Sequence, residues 1–258
     1  MGMRDFGFRW GWMAVAAVGA AAFYFGVLER SGRVHAAGGE PAPVLVELFT
    51  SEGCSSCPPA DALLAKLDAQ QPVAGARVIV LSEHVTYWNS LGWRDPFSLD
   101  AMTERQQKYA QRFGLGEVYT PQAVVDGAAE LVGSDERAML RAVGKAAGSA
   151  KTPVSIENAE VAGGEVRFAV RGGDGKGELM AALAEDSAQS SVLRGENGGR
   201  TLRHVAVVRE LEAMGVADGR TLALKAPAGR GALRLVVFLV DRRSGAVLGV
   251  AERLVGRG

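Results

Sequence analysis

Cysteine is scarce in this chain: 258 residues carry two, beside three histidines. Two cysteines exclude the disulfide-dense scaffold that small secreted domains use in place of a core. They also exclude a four-cysteine zinc site, and the histidines, His35, His84 and His204, lie too far apart in sequence for a regular Cys2His2 knuckle. Charge of one sign is missing as well. Lys plus Arg and Asp plus Glu stand at 29 each, which leaves no basic excess for a phosphate backbone, so nucleic acid is not an expected partner. No repeat of solenoid period is present, and no second long apolar run follows the one near the N-terminus.

That first run, Trp10 to Leu28, is uncharged and mostly apolar, preceded by Arg4 and Arg9 and followed by Glu29 and Arg30. It reads as an export signal, with small residues at Val34-His35-Ala36-Ala37 offering a cleavage site. Because a stretch of this length also spans a bilayer, residues 1–36 are expected to be either a signal peptide or an uncleaved membrane anchor. In both cases the basic flank stays cytoplasmic and the rest is delivered outside. The expected location is periplasmic or secreted, with membrane contact only through residues 10–28 if they are retained.

With 48% apolar residues, the exported part is long enough for two ordinary domains. Val44 to Phe49 and Arg77 to Leu81 read as buried strands, with an amphipathic helix from Pro58 to Leu67 between them. A helix from about Ser98 to Phe113 follows. Gln122 to Val125 and Ala129 to Val132 flank Asp126-Gly127, a strong hairpin signal, and Ser134 is placed to cap a helix running to about Lys145. The order is β-α-β-α-β-β-α. The segment Ala147 to Pro153 fits a domain boundary. Beyond it, strand-length runs such as Val166 to Val170, Leu222 to Lys225 and Leu233 to Val240 are separated by glycine-rich breaks. Ser244-Gly245 marks a terminal hairpin, and Leu211 to Met214 has helical character. Residues 41–149 are thus read as an α/β domain and 151–258 as an all-β, sandwich-like domain.

The two cysteines, Cys54 and Cys57, sit three apart in Glu52-Gly53-Cys54-Ser55-Ser56-Cys57-Pro58-Pro59. A disulfide that closes so short a loop removes little unfolded-chain entropy, so it is a poor structural staple. The spacing at a strand-to-helix junction suits redox chemistry, because free N–H groups of the first helical turn stabilise a thiolate. Pro58 and Pro59 fit a helix start, where N–H groups lack intrahelical partners anyway. On this reading Cys54 is the exposed nucleophile and Cys57 the resolving thiol that attacks the mixed disulfide.

The strand into Cys54-Ser55-Ser56-Cys57-Pro58, Tyr119-Thr120-Pro121 before a strand and the Asp126-Gly127 hairpin together resemble the thioredoxin superfamily. The resemblance implies a thioredoxin-like α/β domain in which Thr120 and Pro121, joined by a cis peptide bond, present backbone to substrate beside the cysteines. It also implies that Glu47 matches a buried acid that assists proton transfer to the resolving thiol, although the loop from Glu47 to Cys54 is one residue longer than the usual pattern, and a strand-edge role is the alternative. More narrowly, Glu47 to Asp61 together with His84-Val85-Thr86-Tyr87-Trp88-Asn89-Ser90-Leu91-Gly92-Trp93-Arg94-Asp95-Pro96-Phe97 is similar to a secreted bacterial family of unknown function, DUF1223. That likeness covers nearly the whole mature chain and takes in Arg194-Gly195-Glu196-Asn197 and Arg203-His204, for which it supplies no mechanism.

Three functions remain open at this point. The first is an exported thiol–disulfide oxidoreductase acting on protein or small-molecule thiols, with an undefined redox partner and no cofactor beyond the Cys54–Cys57 disulfide. The second is a Cu(I) carrier in which Cys54, Cys57 and His84 hold a soft ion; dispersed methionines argue against a methionine-rich site. The third is a non-catalytic binding module with a passive disulfide. His84 either bonds a thiolate or packs against aromatics with its nitrogens satisfied. Tyr87, Trp88 and Trp93 either line a substrate groove or form core. His204 alternates with Val205 and Val207 in a strand pattern and is given no role.

Overall fold

Val44, Leu45, Val46, Leu48 and Phe49 are apolar on both faces of an extended segment, the pattern of a strand covered on two sides. In the computed structural model they lie in β1, Ala42–Thr50, and are fully buried. The structure describes residues 1–3, 40–173, 177–227 and 231–256. The described residues from Glu40 onward form one compact unit. The expected signal or anchor, and its run 10–28, lie outside the described residues; among those described, no helix is long and apolar enough to cross a membrane.

After β1 the chain forms α1 (Pro58–Gln70), β2 (Ala76–His84), α2 (Asp100–Phe113), β3 (Gln122–Val125), β4 (Ala129–Val132) and α3 (Glu136–Ala147). This is the expected order. Leu63, Leu64 and Leu67 of α1 enter the core that holds Val44, Val46 and Leu48, each burial stabilising by about 1.5–3 kcal/mol. The cap of α3 is Asp135 and not Ser134: its side chain accepts the Ala138 N–H at 2.9 Å. Asp126 and Gly127 take φ of 48° and 60° in the β3–β4 turn, the left-handed pair a tight hairpin requires.

The second half is strand throughout: β5 (Val154–Ala162), β6 (Glu165–Gly172), β7 (Glu178–Ser191), β8 (Thr201–Gly215), β9 (Asp218–Lys225), β10 (Leu233–Val240) and β11 (Val247–Val255). Leu211 to Met214 belong to β8, because pairing with β7, Leu211 opposite Ala182, overrides local helix preference. The three-stranded sheet β5-β6-β9 packs Val166, Phe168, Val170 and Leu224 against Leu179, Leu183, Leu235 and Val237.

The two halves meet across the boundary expected near residue 150. β8 lies beside β2, in parallel at Ser82 and Val207, so one sheet runs β11-β10-β7-β8-β2-β1-β3-β4 through both halves. The sheet that β5-β6-β9 covers is therefore shared with the first half. The physical reason lies in β2, whose Val78 to Leu81 are buried; a strand of that kind needs a neighbour on each edge, and β8 supplies the second. This join brings residues 190–204 against the loop that follows β1.

Candidate active site

β1 ends at Thr50, and Ser51-Glu52-Gly53 leads into Cys54. Cys54 and Cys57 are bridged, with Cα atoms 5.5 Å apart. Cys57 is the N-cap of α1 and Pro58 and Pro59 fill its first turn, where absent N–H groups cost no helical hydrogen bond. The Thr120–Pro121 peptide is cis, and the Thr120 carbonyl oxygen stands 3.9 Å from Cys54 Sγ. Ser56 Oγ lies 3.3 Å from the same sulfur and 3.5 Å from that carbonyl oxygen; because a bridged sulfur carries no hydrogen, the serine hydroxyl is the donor. Trp88 Nε1 donates to Thr120 Oγ1 at 2.8 Å. Cys54 is not the exposed residue expected of it. Both cysteines are completely buried, and Ser55 and Ser56 between them face solvent.

Behind the disulfide lies a buried polar network centred on Glu52. Its N–H donates to Asp95 Oδ2 at 2.8 Å, and Trp93 Nε1 donates to its Oε2 at 2.9 Å. Its Oε1 accepts the Ser190 hydroxyl and, at 3.2 Å, His204 Nε2. The other ring nitrogen of His204 faces Asp61 Oδ2 at 3.7 Å, an ion-pair distance too long for a hydrogen bond. Thr50 Oγ1 donates to the second oxygen of Asp61. His204 therefore spans the two carboxylates that bracket the cysteine pair in sequence. Burial alone pushes its pKa down, but Asp61 and Glu52 outweigh that and raise it to about 9, so the ring is cationic at neutral pH. His84 Nδ1 pairs with Asp95 Oδ2 at 2.7 Å, and the two histidine rings meet edge to face at 4.6 Å. Against the upward push of burial, His84 and the N–H groups of Glu52 and Phe97 hold Asp95 at about 2.

The turn between β7 and β8 reaches the same loop. Asn197, fully buried, donates its amide to the carbonyls of Glu52 and Cys54, both at 2.9 Å. Glu196 accepts the Ser55 N–H at 3.0 Å.

A family model described as "Protein of unknown function (DUF1223)" matches residues 45–240, a span that takes in the cysteine pair, the Trp88–Trp93 loop and the Glu196–Asn197 turn. The chain belongs to the DUF1223 family. An X-ray crystal structure of a protein from Agrobacterium tumefaciens is 30% identical to this DUF1223 chain, covering 85% of it and 96% of that protein, with a TM-score of 0.63. HBP35 of Porphyromonas gingivalis is 16% identical over 84% of this chain and 76% of its own, with a TM-score of 0.51, a likeness of fold alone. No functionally curated protein matches.

In this DUF1223 chain the residues read from sequence divide into two groups. Cys54, Cys57, Thr120, Pro121 and Trp88 come together, and a Cβ built on Gly53 would stand 3.0 Å from Trp88 Cβ, which shows how closely that loop packs. His84 is fully buried in the network behind them. Glu47 is also fully buried, but its carboxylate is taken by Arg105 at 2.5 Å and by the Tyr109 hydroxyl at 2.5 Å, both on α2. Those partners, not a cysteine, account for its burial. Beside it, burial and the Glu47 charge raise the pKa of Glu83 well above the usual carboxylate range. Among the described residues no three His, Cys, Asp or Glu side chains are grouped to hold a metal ion. Sequence reasoning gave no role to Glu52, Asp61, Asp95, Ser190, Glu196, Asn197 and His204, although all but Ser190 lie in the stretches that carry the family likeness. The available signal was the polar Glu196-Asn197 pair inside a glycine-rich break, together with a histidine on an otherwise apolar strand.

Proposed function

We propose that this protein is an exported thiol–disulfide oxidoreductase in which Cys54 exchanges with substrate and Cys57 resolves. The observation that carries the reading is the Cys54–Cys57 bridge at the first turn of α1, closed across two solvent-facing serines with the Thr120 carbonyl against Cys54 Sγ. A bridge across so few residues adds little to stability through the unfolded chain, yet a buried network of ion pairs and hydrogen bonds is built around it. Thiols and disulfides of proteins or small molecules are the substrate class, and Thr120 and Pro121 are the backbone against which a substrate strand lies.

Both sulfurs are covered in the bridged state, so exchange proceeds through local opening at Ser55–Ser56. A substrate thiolate attacks Cys54 Sγ and Cys57 leaves as a thiolate; a second substrate thiolate then attacks the substrate sulfur of the mixed disulfide, Cys54 leaves as a thiolate, the substrate departs as its disulfide, and the pair gains two electrons. The cationic ring of His204, set between Glu52 and Asp61, offsets their charge beside the thiolates. A glutathione titration of the full chain in mild detergent tests the reading, with the cysteine state followed by alkylation and mass. A working exchange centre equilibrates in the range of about −270 to −120 mV; a bridge that stays closed below about −300 mV is a structural one and overturns the proposal.

A further inference from the structure

Glu196 lies outside the network behind the disulfide, on its solvent side, and the turn that carries it is fixed. Asn197 is anchored on the carbonyls of Glu52 and Cys54, and Arg200 donates to its side-chain oxygen at 2.8 Å. Gly195, at φ 76°, packs so that a Cβ there would sit 3.1 Å from Trp93 Cβ. The Glu196 side chain is thus delivered to one place, with Oε2 3.0 Å from the backbone nitrogen of Ser55, the residue bonded to Cys54. Ser55, through its side chain and then its N–H, holds the Glu196 carboxyl below the usual range, so it is charged at neutral pH.

A thiolate at a helix start is stabilised by the free N–H groups of the first turn. Here those donors are depleted. In that turn Pro58 and Pro59 have none and the Ala60 N–H goes to the Cys57 carbonyl at 2.8 Å; just ahead of it the Cys57 N–H goes to the Cys54 carbonyl at 3.3 Å and the Ser55 N–H goes to Glu196. The titratable and charged groups described around the pair are Glu52, Asp61, His204, His84 and Asp95 behind it, and on the side of the β7–β8 turn Glu196 and Arg200, the latter held on the Asn197 side-chain oxygen. Glu196 both occupies a donor and places a negative charge against the backbone of the residue bonded to Cys54.

We propose that Glu196 biases the direction of electron flow: it disfavours the Cys54 thiolate and so shifts the reduced pair toward donating electrons to substrate disulfides. The inference rests on the exchange reading above and deepens it by naming disulfides as the substrate class. In the donating direction the Cys54 thiolate attacks a substrate disulfide, forming a mixed disulfide and releasing one substrate thiolate. Cys57, losing its proton, attacks Cys54 Sγ; the second substrate thiolate leaves, the Cys54–Cys57 bond closes, and the substrate has gained two electrons. A dithiol donor restores the reduced pair.

The test compares the full-length protein with Glu196→Gln in two measurements: thiolate absorbance of the chemically reduced protein against pH, and the glutathione equilibrium. Because Glu196 is exposed and screened, the expected effect is modest, a thiolate fraction raised about threefold at a given pH. The same change in acidity moves the equilibrium constant by up to about threefold toward a more oxidising couple, about 14 mV, once the pH lies above the Cys54 pKa and the reduced pair is already thiolate, and the difference shrinks at 1 M salt, where the Debye length is about 3 Å. Glu165→Gln, a surface carboxylate paired with Arg167, leaves both values unchanged. An unshifted thiol pKa in Glu196→Gln, or a potential that falls, overturns the inference. If the native pair never equilibrates with glutathione, the exchange reading fails instead, and the absorbance titration still decides the effect of Glu196 on Cys54.

Discussion

His204 makes the stability of this protein depend on pH in a window where few other side chains titrate. Its folded pKa of about 9 lies above the ordinary histidine value of 6.5, so the folded state holds a proton that the unfolded chain releases. The stabilisation is fully present below pH 6.5 and is lost as the pH rises through 9. At about 1.4 kcal/mol for each tenfold change in proton affinity, it amounts to on the order of 3 kcal/mol. His204 is only 3% exposed, so solvent screening removes little of this. Urea unfolding of the oxidised protein between pH 6 and 10, repeated for His204→Gln, isolates the contribution. The gap between native and variant stability should narrow by about 3 kcal/mol from pH 6.5 to pH 9.5, and the imidazole titration followed by NMR should have its midpoint near 9. A gap that stays constant across that range would refute the placement of a cationic His204 between Glu52 and Asp61.

Asp95 acts at the other end of the scale. Its pKa of about 2 lies below the usual 3.8, so its contribution is present above pH 3.8 and lost as the pH falls through 2. Asp95→Asn should cost on the order of 2 kcal/mol at pH 7 and flatten acid unfolding between pH 4 and 2, as measured by circular dichroism. Asn197→Ala strips the buried carbonyls of Glu52 and Cys54 of their shared donor. It should lower stability by about 1–3 kcal/mol and speed reduction of the Cys54–Cys57 bridge by dithiothreitol, because the covering turn is loosened; an unchanged reduction rate would show that this turn does not control access. Gly53→Ala forces a methyl to within 3.0 Å of Trp88 Cβ. The expected result is a loss of about 1–3 kcal/mol with a shift in tryptophan emission as Trp88 moves off Thr120.

Local signals in the sequence specify local structure. The apolar runs of β1 and β2, the proline-marked start of α1 and the Asp126-Gly127 turn each encode their structure within a few residues, so their elements appear where expected. The Cys54–Cys57 pair and the Thr120-Pro121 step were legible for the same reason. Long-range pairing was not. The parallel join of β8 to β2 links Ser82 to Val207, and nothing in either strand's own pattern names its partner, so two domains were expected where one sheet runs through. The same gap hid His204: on a strand it reads as an isolated polar residue, and only the join of β8 to β2 sets it against Glu52 and Asp61. Glu47 shows the reverse error. Its acid at the expected place on β1 matched a pattern, but the residues that claim it, Arg105 and Tyr109, come from α2 and were not foreseen.

The central claim is that Cys54 exchanges with substrate while Cys57 resolves, and trapping the intermediate tests it most directly. Full-length Cys57→Ser, reduced and then mixed with a disulfide-bonded peptide, should accumulate a mixed disulfide on Cys54 detectable by intact mass. Cys54→Ser under the same conditions should accumulate far less. If Cys57→Ser forms no adduct, the bridge is a structural one, and if the two variants form it equally, Cys54 is not the dedicated exchanging thiol; either result contradicts the claim.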